Sequence, residues 1–407
     1  MVEVMKEISV LEVAEHTFVP LASAILAAWG AEVIKIEHVE RGDATRGLAQ
    51  AGCVDVGGGG VDVLMEHANR GKRSIAMDLA TPEGRELLYR LAARSDIFLT
   101  NKLPAVRSKL KLDVEDIRGH DPSIVYAQGT GYGSKGPDVD LGGYDMLAYW
   151  ARSGIAVSAK TPEIDYLPPQ PVPAFGDSVG AMFVAGGIGT ALLHQERTGE
   201  ALSVDVSLLA TGMWAMSAAI GISGRTGKPY RPQPGDSASG NPLVGSYRTA
   251  DDRWVTLCML QGFHYWPEVC RVLGHPEWTE DSRFATRESL FQNYQAAVEL
   301  IAGVMGTATQ AEWKARLRGL KGQWSPVQDS VDVVDDPMLA ANDYVTETRT
   351  QDGVSFRLVT APVQFDGQAS PPRRAPGFNE HGDDILGRPL GLDTGTILDL
   401  KRKGVVA

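Results

Sequence analysis

Hydrophobic and polar positions change period repeatedly along the first half of the chain. ISVLEVA (8–14) reads as a strand, PLASAILAAWG (20–30) as a helix stopped by Gly30, and EVIKIEH (32–38) as a second strand. The βαβ pattern then recurs. SIAMDL is a strand, TPEGRELLYRLAARS a helix with Thr81 as N-cap and Pro82 at its first position, and DIFLTN and SIVYAQGTG are further strands. Such alternation predicts an α/β fold with a mostly parallel sheet and helices on both faces.

From Ser178 to Leu193 apolar residues surround the whole helical wheel, interrupted by Gly180, Gly186, Gly187 and Gly189, which predicts a fully buried helix approached closely by neighbouring backbone. SVDVSLLATGMWAMSAAIGISG predicts a strand followed by a helix. The texture changes at GRTGKPYRPQPGDSASGNP (224–242), a Gly/Pro/Ser-rich boundary. Beyond it, LVGSYRTADDRWVTLCML reads as an antiparallel hairpin turning at Asp251 and Asp252, with helices around 262–273, 293–305 and 309–320. The expected organisation is a large domain over 1–223 and 335–407 and a small α+β domain over 224–334. The tail carries strand-like pieces such as VSFRLVTAPVQF and Pro-rich connectors able to run back over the first domain. VGGGGVD (56–62) reads as a flexible loop: it lacks the Lys-Ser/Thr ending of a phosphate cradle, and no suitable helix start is expected after it.

Composition narrows the classes. The 407 residues, 43% hydrophobic and 22% charged, are those of a globular protein with room for a large core, and no apolar run stands out as a membrane span. The acidic N-terminus MVEVMKEISVLEVAEH does not resemble a secretory signal, so a cytoplasmic location is expected. Cys53, Cys258 and Cys270 are far apart, show no metal-ligand spacing and are expected to be reduced and buried. A net charge of −12 argues against wholesale nucleic-acid binding while leaving room for a local basic pocket for an anionic cofactor. The eight histidines make no HxH or HExxH pattern and there is no GxSxG elbow, so neither zinc nor serine-hydrolase chemistry is expected.

Asp177, in PVPAFGDSVGAMF, has two readings on spacing alone. It is either an N-cap accepting hydrogen bonds from free helix N–H groups, or a carboxylate held in a dry cleft as a nucleophile toward an activated acyl group. GTGYGSKGP (129–137) follows a strand, but its glycine spacing and Pro137 do not fit a dinucleotide fingerprint; it is a backbone-lined ligand loop or an ordinary turn cluster. In GGYDMLAYWARSG, Tyr144 and Asp145 stand at the start of an amphipathic helix, where packing and dipole effects compete with a chemical role.

Taken in order, GAEVIKIEHVERGDATRG, NRGKRSIAMDLATPEGRELL, SIVYAQGTGYGSKGP, GGYD, FGDSVGAMFVAGGIGTALLHQERTGEALSVDVSLL, YRTADDRWVTL and DSRFATRESLFQN resemble the family III CoA-transferases. Formyl-CoA transferase and L-carnitine CoA-transferase are enzymatic relatives, and α-methylacyl-CoA racemase shares the fold. The resemblance implies a Rossmann-like large domain built from both chain ends, an inserted small domain and an interlocked homodimer. It also implies that Asp177 is the acylated residue, with CoA and acyl-CoA as substrates; the spacing, charge and apolar runs described above lead to the expectation of no metal and of neither nucleic acid nor membrane as partner. For CoA it implies His16, Thr17 and Phe18 after the first strand, with Lys72, Arg73, Asn101 and Lys109 at or beside nucleotide and phosphate contacts. Two positions depart from the family pattern: Lys102 replaces an aromatic, and His38 replaces a frequent arginine at the cofactor site.

The racemases place a histidine where this chain has Tyr144 and a glutamate where it has Gln261. A phenol with an ordinary pKa near 10 is a poor α-proton acceptor at neutral pH, which favours transfer, with Tyr144 bonding a substrate carboxylate and Asp145 supporting it. Racemisation and an inactive CoA-binding homologue are the alternatives. GDSASGN (235–241) is a candidate lid or a plain linker.

Overall fold

The computed structural model describes residues 2–48, 50–51, 54–161, 164–231 and 240–407. Two compact units emerge: unit 1 comprises 1–157, 168–228 and 337–407, and unit 2 comprises 158–167 and 229–336. Residues 158–167, assigned to the large domain from sequence, cluster with unit 2 instead.

Unit 1 is built on six parallel strands: β1 (Ser9–Val13), β2 (Glu32–His38), β3 (Arg73–Met77), β4 (Ile97–Thr100), β5 (Val125–Thr130) and β6 (Ser203–Ser207). Their order is β6-β5-β4-β1-β2-β3. The chain starts in the middle, fills one side and then returns to the other, so the order reverses between β1 and β4. In such sheets the loops at the carboxyl ends diverge there and open a crevice.

Alternating side chains sort onto two buried faces. Val10, Val33, Ile97, Leu99, Val125 and Ala127 join one core with helices α1 (Phe18–Ala28) and, later in the chain, a 24-residue helix. Leu11, Ile36, Ile75, Met77, Phe98 and Tyr126 join another, with Leu87, Leu88 and Leu91 and with Ile385, Leu386 and Leu400 of the tail. Burial on both sides explains why these strands read as nearly continuous hydrophobic runs. The tail is tied to β3 and its end by Asp78 N–H donating to Val405 (2.8 Å) and by Ala76 N–H donating to Asn379 Oδ1 (3.0 Å).

The glycine stretch at 56–62 forms a two-residue antiparallel ladder, Gly57–Gly58 with Val61–Asp62, and a helix does follow at once: α2 (Val63–Asn69), capped by Asp62 accepting from Met65 N–H (3.2 Å). Helix α3 (Pro82–Ala92) starts on Thr81, whose hydroxyl accepts from Gly84 N–H (3.0 Å), and α4 (Pro104–Leu110) follows β4. The stretch after Asp145 is a π-helix, Met146–Ala151, rather than a regular amphipathic helix.

The long helix, α5 (Phe175–Thr198), starts earlier and ends later than its apolar pattern suggests. It is not fully buried: Gly180, Ala181, Val184, Ala185 and Ile188 face the core, whereas Val179, Phe183 and Leu193 are exposed. Gly180 is required by close approach, since a Cβ there would sit 2.6 Å from the Phe18 ring, but Gly186 has open space around it. By length and mean hydropathy (1.3) α5 is also apolar enough to cross a membrane, contrary to the expectation that no such run exists; in unit 1 its inner face packs on α1. After β6 come α6 (Leu208–Ala215) and a second helix, Ser217–Thr226, where one was expected.

Unit 2 has an antiparallel sheet of β7 (Val244–Arg248), β8 (Trp254–Cys258) and β9 (Trp324–Pro326), covered by helices Gly262–Leu273, Tyr294–Met305 and Gln310–Leu317 around Trp266, Phe284 and Trp313. Cys270 is buried there and Cys258 is exposed, against the expectation for the latter; Cys53 lies outside the described residues. In unit 1, β10 (Val345–Arg349) and β11 (Ser355–Val359) form a separate hairpin.

Candidate active site

The crevice at the β1/β4 reversal is fixed by the backbone of Glu15 and the side chain of Asn101. Asn101 Oδ1 accepts from Glu15 N–H (3.1 Å) and its Nδ2 donates to the Glu15 carbonyl (2.6 Å), so the loops leaving β1 and β4 are clasped together. His16 follows with φ +68°, its N–H donating to Asp43 Oδ1 (3.3 Å). Beneath this turn lies a wholly buried ionic cluster. Glu12 bonds Lys35 and Lys72 (2.7 Å each), and Lys35 also pairs with Asp43 (2.7 Å). Burial alone would raise the Glu12 carboxyl, but the two ammonium groups outweigh it and hold it below its usual range. Burial brings Lys72 down to about 7 against the pull of Glu12.

Helix α5 begins at Ala174, an N-cap in left-handed conformation (φ +62°) with no side chain to offer, which rules out the N-cap reading of Asp177. The acid that serves the helix start is Asp145. Its carboxylate accepts from Met146 N–H (2.8 Å), Gly176 N–H (3.1 Å) and Gln170 Nε2 (2.7 Å), and none of these bonds involves Tyr144. Asp177 sits in the first turn, three residues after the cap. Among the described residues, no hydrogen bond or ion pair engages its carboxyl group. Burial, and next the Asp145 charge, push its pKa well above the usual carboxylate range. Ser178, the next residue, is fixed by donating to the Ala174 carbonyl (2.8 Å) and by the His67 ring (3.2 Å).

Asp177 lines a cleft of about 430 Å³ together with His16, Phe18, Asn101, Tyr144, Leu147 and the backbone of Gly129–Gly131 and Gly142–Gly143. The glycines permit the wall: a Cβ on Gly131 would lie 2.8 Å from the Gly143 Cα. Tyr144, largely exposed, meets His16 edge-on at 5.3 Å. An adjoining pocket of about 300 Å³ is lined by His38, Lys109, Met77 and Leu79. The two share Glu15, Arg41, Lys102 and Val106 and adjoin along these side chains, together making a trough.

The trough therefore gathers His16, Phe18, His38, Asn101, Lys109, Tyr144 and Asp177, with Asp145 behind the wall. It does not gather the rest. Thr17 is buried at the start of α1. The Lys72 side chain has no exposed surface, its ammonium being shared among Glu12, the Pro20 carbonyl and Asn69 Oδ1; Arg73 turns to Glu32 and Asp384. Gln261 is exposed in unit 2, and most of residues 235–241 lie outside the described residues. Sequence reading missed Glu15 and Arg41. The available signal was their position, one just past β1 and the other three residues past β2, on adjacent strands of a parallel sheet. Among the described residues, no group of three or more His, Cys, Asp or Glu is arranged to hold a metal.

The parallel-sheet crevice thus has cations in one part and, in the other, a partly buried carboxyl group that no described residue engages. Residues 5–382 match the CoA-transferase family III profile, and the chain belongs to that family. It is similar to (R)-2-hydroxy-4-methylpentanoate CoA-transferase of Clostridioides difficile, at 29% identity over 99% of both chains. It is 31% identical to cinnamoyl-CoA:phenyllactate CoA-transferase of Clostridium sporogenes over 97% of this chain and 95% of that one. A crystal structure of a CAIB/BAIF family protein from Brucella suis superposes with a TM-score of 0.81 at 26% identity, covering 95% of this chain and 99% of that chain. The protein is thus an enzyme of the family III CoA-transferase type, with CoA thioesters as its substrates.

Proposed function

We propose that the enzyme moves CoA from an acyl-CoA donor to a carboxylic acid through covalent intermediates on Asp177. The observation that carries this reading is the Asp177 carboxyl group itself: it lines the cleft, is partly buried and, among the described residues, is committed to no partner, while Asp145 takes over the helix-start role. Ionised Asp177 attacks the thioester carbonyl, expelling CoA thiolate and leaving a mixed anhydride. The thiolate attacks the aspartyl carbonyl, releasing the donor acid and leaving an aspartyl-CoA thioester. The acceptor carboxylate attacks that thioester, expelling thiolate again, and thiolate attack on the new acyl carbonyl yields product and free Asp177. Backbone N–H groups of the glycine walls are the candidates for holding the oxyanions, and exclusion of water protects the anhydride. Tyr144, which lines the cleft and is largely exposed, is the proposed partner of the acid's carboxylate.

The cofactor's nucleotide end is assigned to the His38–Lys109 pocket, with Arg41 and Lys102 between it and Asp177. Leu103, Val106, Leu141, Leu147 and Leu208 make the cleft wall largely apolar, which favours a branched or aromatic acid, in line with the acids named for the two clostridial relatives. We further propose a Rossmann-like large domain with an inserted small domain, a cytoplasmic location and an interlocked homodimer. The exposed apolar side chains of α5 and α6, Phe183, Leu193, Met213 and Trp214, support the last.

The test is incubation with acyl-CoA, trapping by hydroxylamine or borohydride, and mass spectrometry of the peptide containing residue 177. An adduct on Asp177 in the wild type, absent from D177N, is expected, together with a loss of transfer of at least ~10³-fold in D177N and D177A. Full transfer by folded D177N, or α-proton exchange in deuterated water without transfer, overturns the reading.

A further inference from the structure

The trough carries an internal anion at the place where a polyanion is proposed to bind. Glu15 Oε2 lies 2.8 Å from Lys102 Nζ, and Oε1 lies 3.3 Å from Arg41 Nη2. The Glu15 side chain is 16% exposed and lines both parts of the trough. Neither cation has another salt bridge among the described residues, and Lys109, in the adjoining pocket, has none. The other acids nearby are otherwise engaged: Glu37 is held by Arg46 (2.6 Å), and Asp78 accepts from Ala80 N–H (2.9 Å). The fold does not need the Glu15 carboxylate to clasp β1 to β4, because Asn101 bonds only the Glu15 backbone.

We infer that Glu15 is an affinity-setting residue that competes with the cofactor's phosphates for Arg41 and Lys102. This rests on the assignment of the trough to CoA. Binding then exchanges one anion for another at these two cations, and the carboxylate repels the incoming phosphates. Affinity is held down, and release of the polyanion, which every turnover requires, is speeded. Lys109, with no salt-bridge partner among the described residues, offers its charge without such a competitor.

The experiment is calorimetric titration of CoA into the full-length wild type, E15Q, K102Q, K109Q and E15Q/K102Q, with thermal melts of each variant and pantetheine as a phosphate-poor control. Expected are roughly five-fold tighter CoA binding by E15Q at low salt, fading as salt screens the charges, and no change for pantetheine. K102Q weakens CoA binding less than K109Q in the wild-type background, and its penalty grows when Glu15 is absent. The comparison of K102Q with K109Q does not depend on E15Q being well folded. Normally melting E15Q that binds CoA no tighter than wild type, or K102Q and K109Q of equal cost, overturns the inference. Failure of the wild type to bind CoA at all removes the trough's assignment and the inference with it.

Discussion

At the level of single residues, two aspartates near one helix start divide the work. Asp145 uses its oxygens to accept from two backbone N–H groups and Gln170, whereas among the described residues no hydrogen bond stabilises a charge on Asp177. Burial and the Asp145 charge both favour the protonated form of Asp177, so the nucleophile must lose a proton at a pH above the usual carboxylate range. Activity should therefore rise with pH through an acid limb shifted upward. Removing the Asp145 charge lowers the Asp177 pKa, and in D145N the acid limb of the kcat/KM profile should move to lower pH even where kcat itself falls. An unmoved limb in a folded D145N would separate the two carboxyl groups electrostatically. The sequence shows both acids but not their roles. A carboxylate three residues into a helix and one 32 residues upstream look equally suited to capping until the chain brings them to one point.

Among elements, the contact that places Asp177 is the crossing of α1 and α5. Phe18 opens α1 and lies over Gly180, one turn beyond Asp177. In G180A the new methyl group would meet the ring at 2.6 Å, forcing it or the helix aside. Overpacking of this kind costs about 1–3 kcal/mol, readable as a lower denaturation midpoint, and the displaced first turn should lower kcat more than it raises KM. Most elements were legible: β2 and the helix Gly262–Leu273 have the boundaries expected from their patterns, because caps, glycine stops and hydrophobic period are local properties. The π-helix after Asp145 was not, since an extra residue per turn leaves little mark on a six-residue stretch. The extent of α5's burial was not legible either, because an all-round apolar helix reads the same whether its second face meets its own chain or another surface.

For the whole molecule, the apolar side chains left outside unit 1 bear on assembly. Trp214 is 70% exposed on α6, and Leu193 50% exposed on α5. We expect light scattering coupled to size exclusion to return twice the chain's mass, and charge substitutions such as L193D or W214D to yield lower-mass, aggregation-prone protein. A monomeric wild type would remove the homodimer from the proposal.

The sequence by itself determined the strands, most helices, the α/β class and a short set of acids and cations from which the site is drawn, because those follow from periodicity, turn chemistry and motif order. Tertiary structure decided which of them matter. It buried Lys72 in an ionic cluster with Glu12, turned Arg73 away, and brought Glu15, Arg41 and Lys102 into the trough beside Asp177. The physical reason is that a charge's partner and its exposure to solvent are through-space quantities, set when β1 and β4 meet at the reversal of strand order, and no spacing along the chain encodes them.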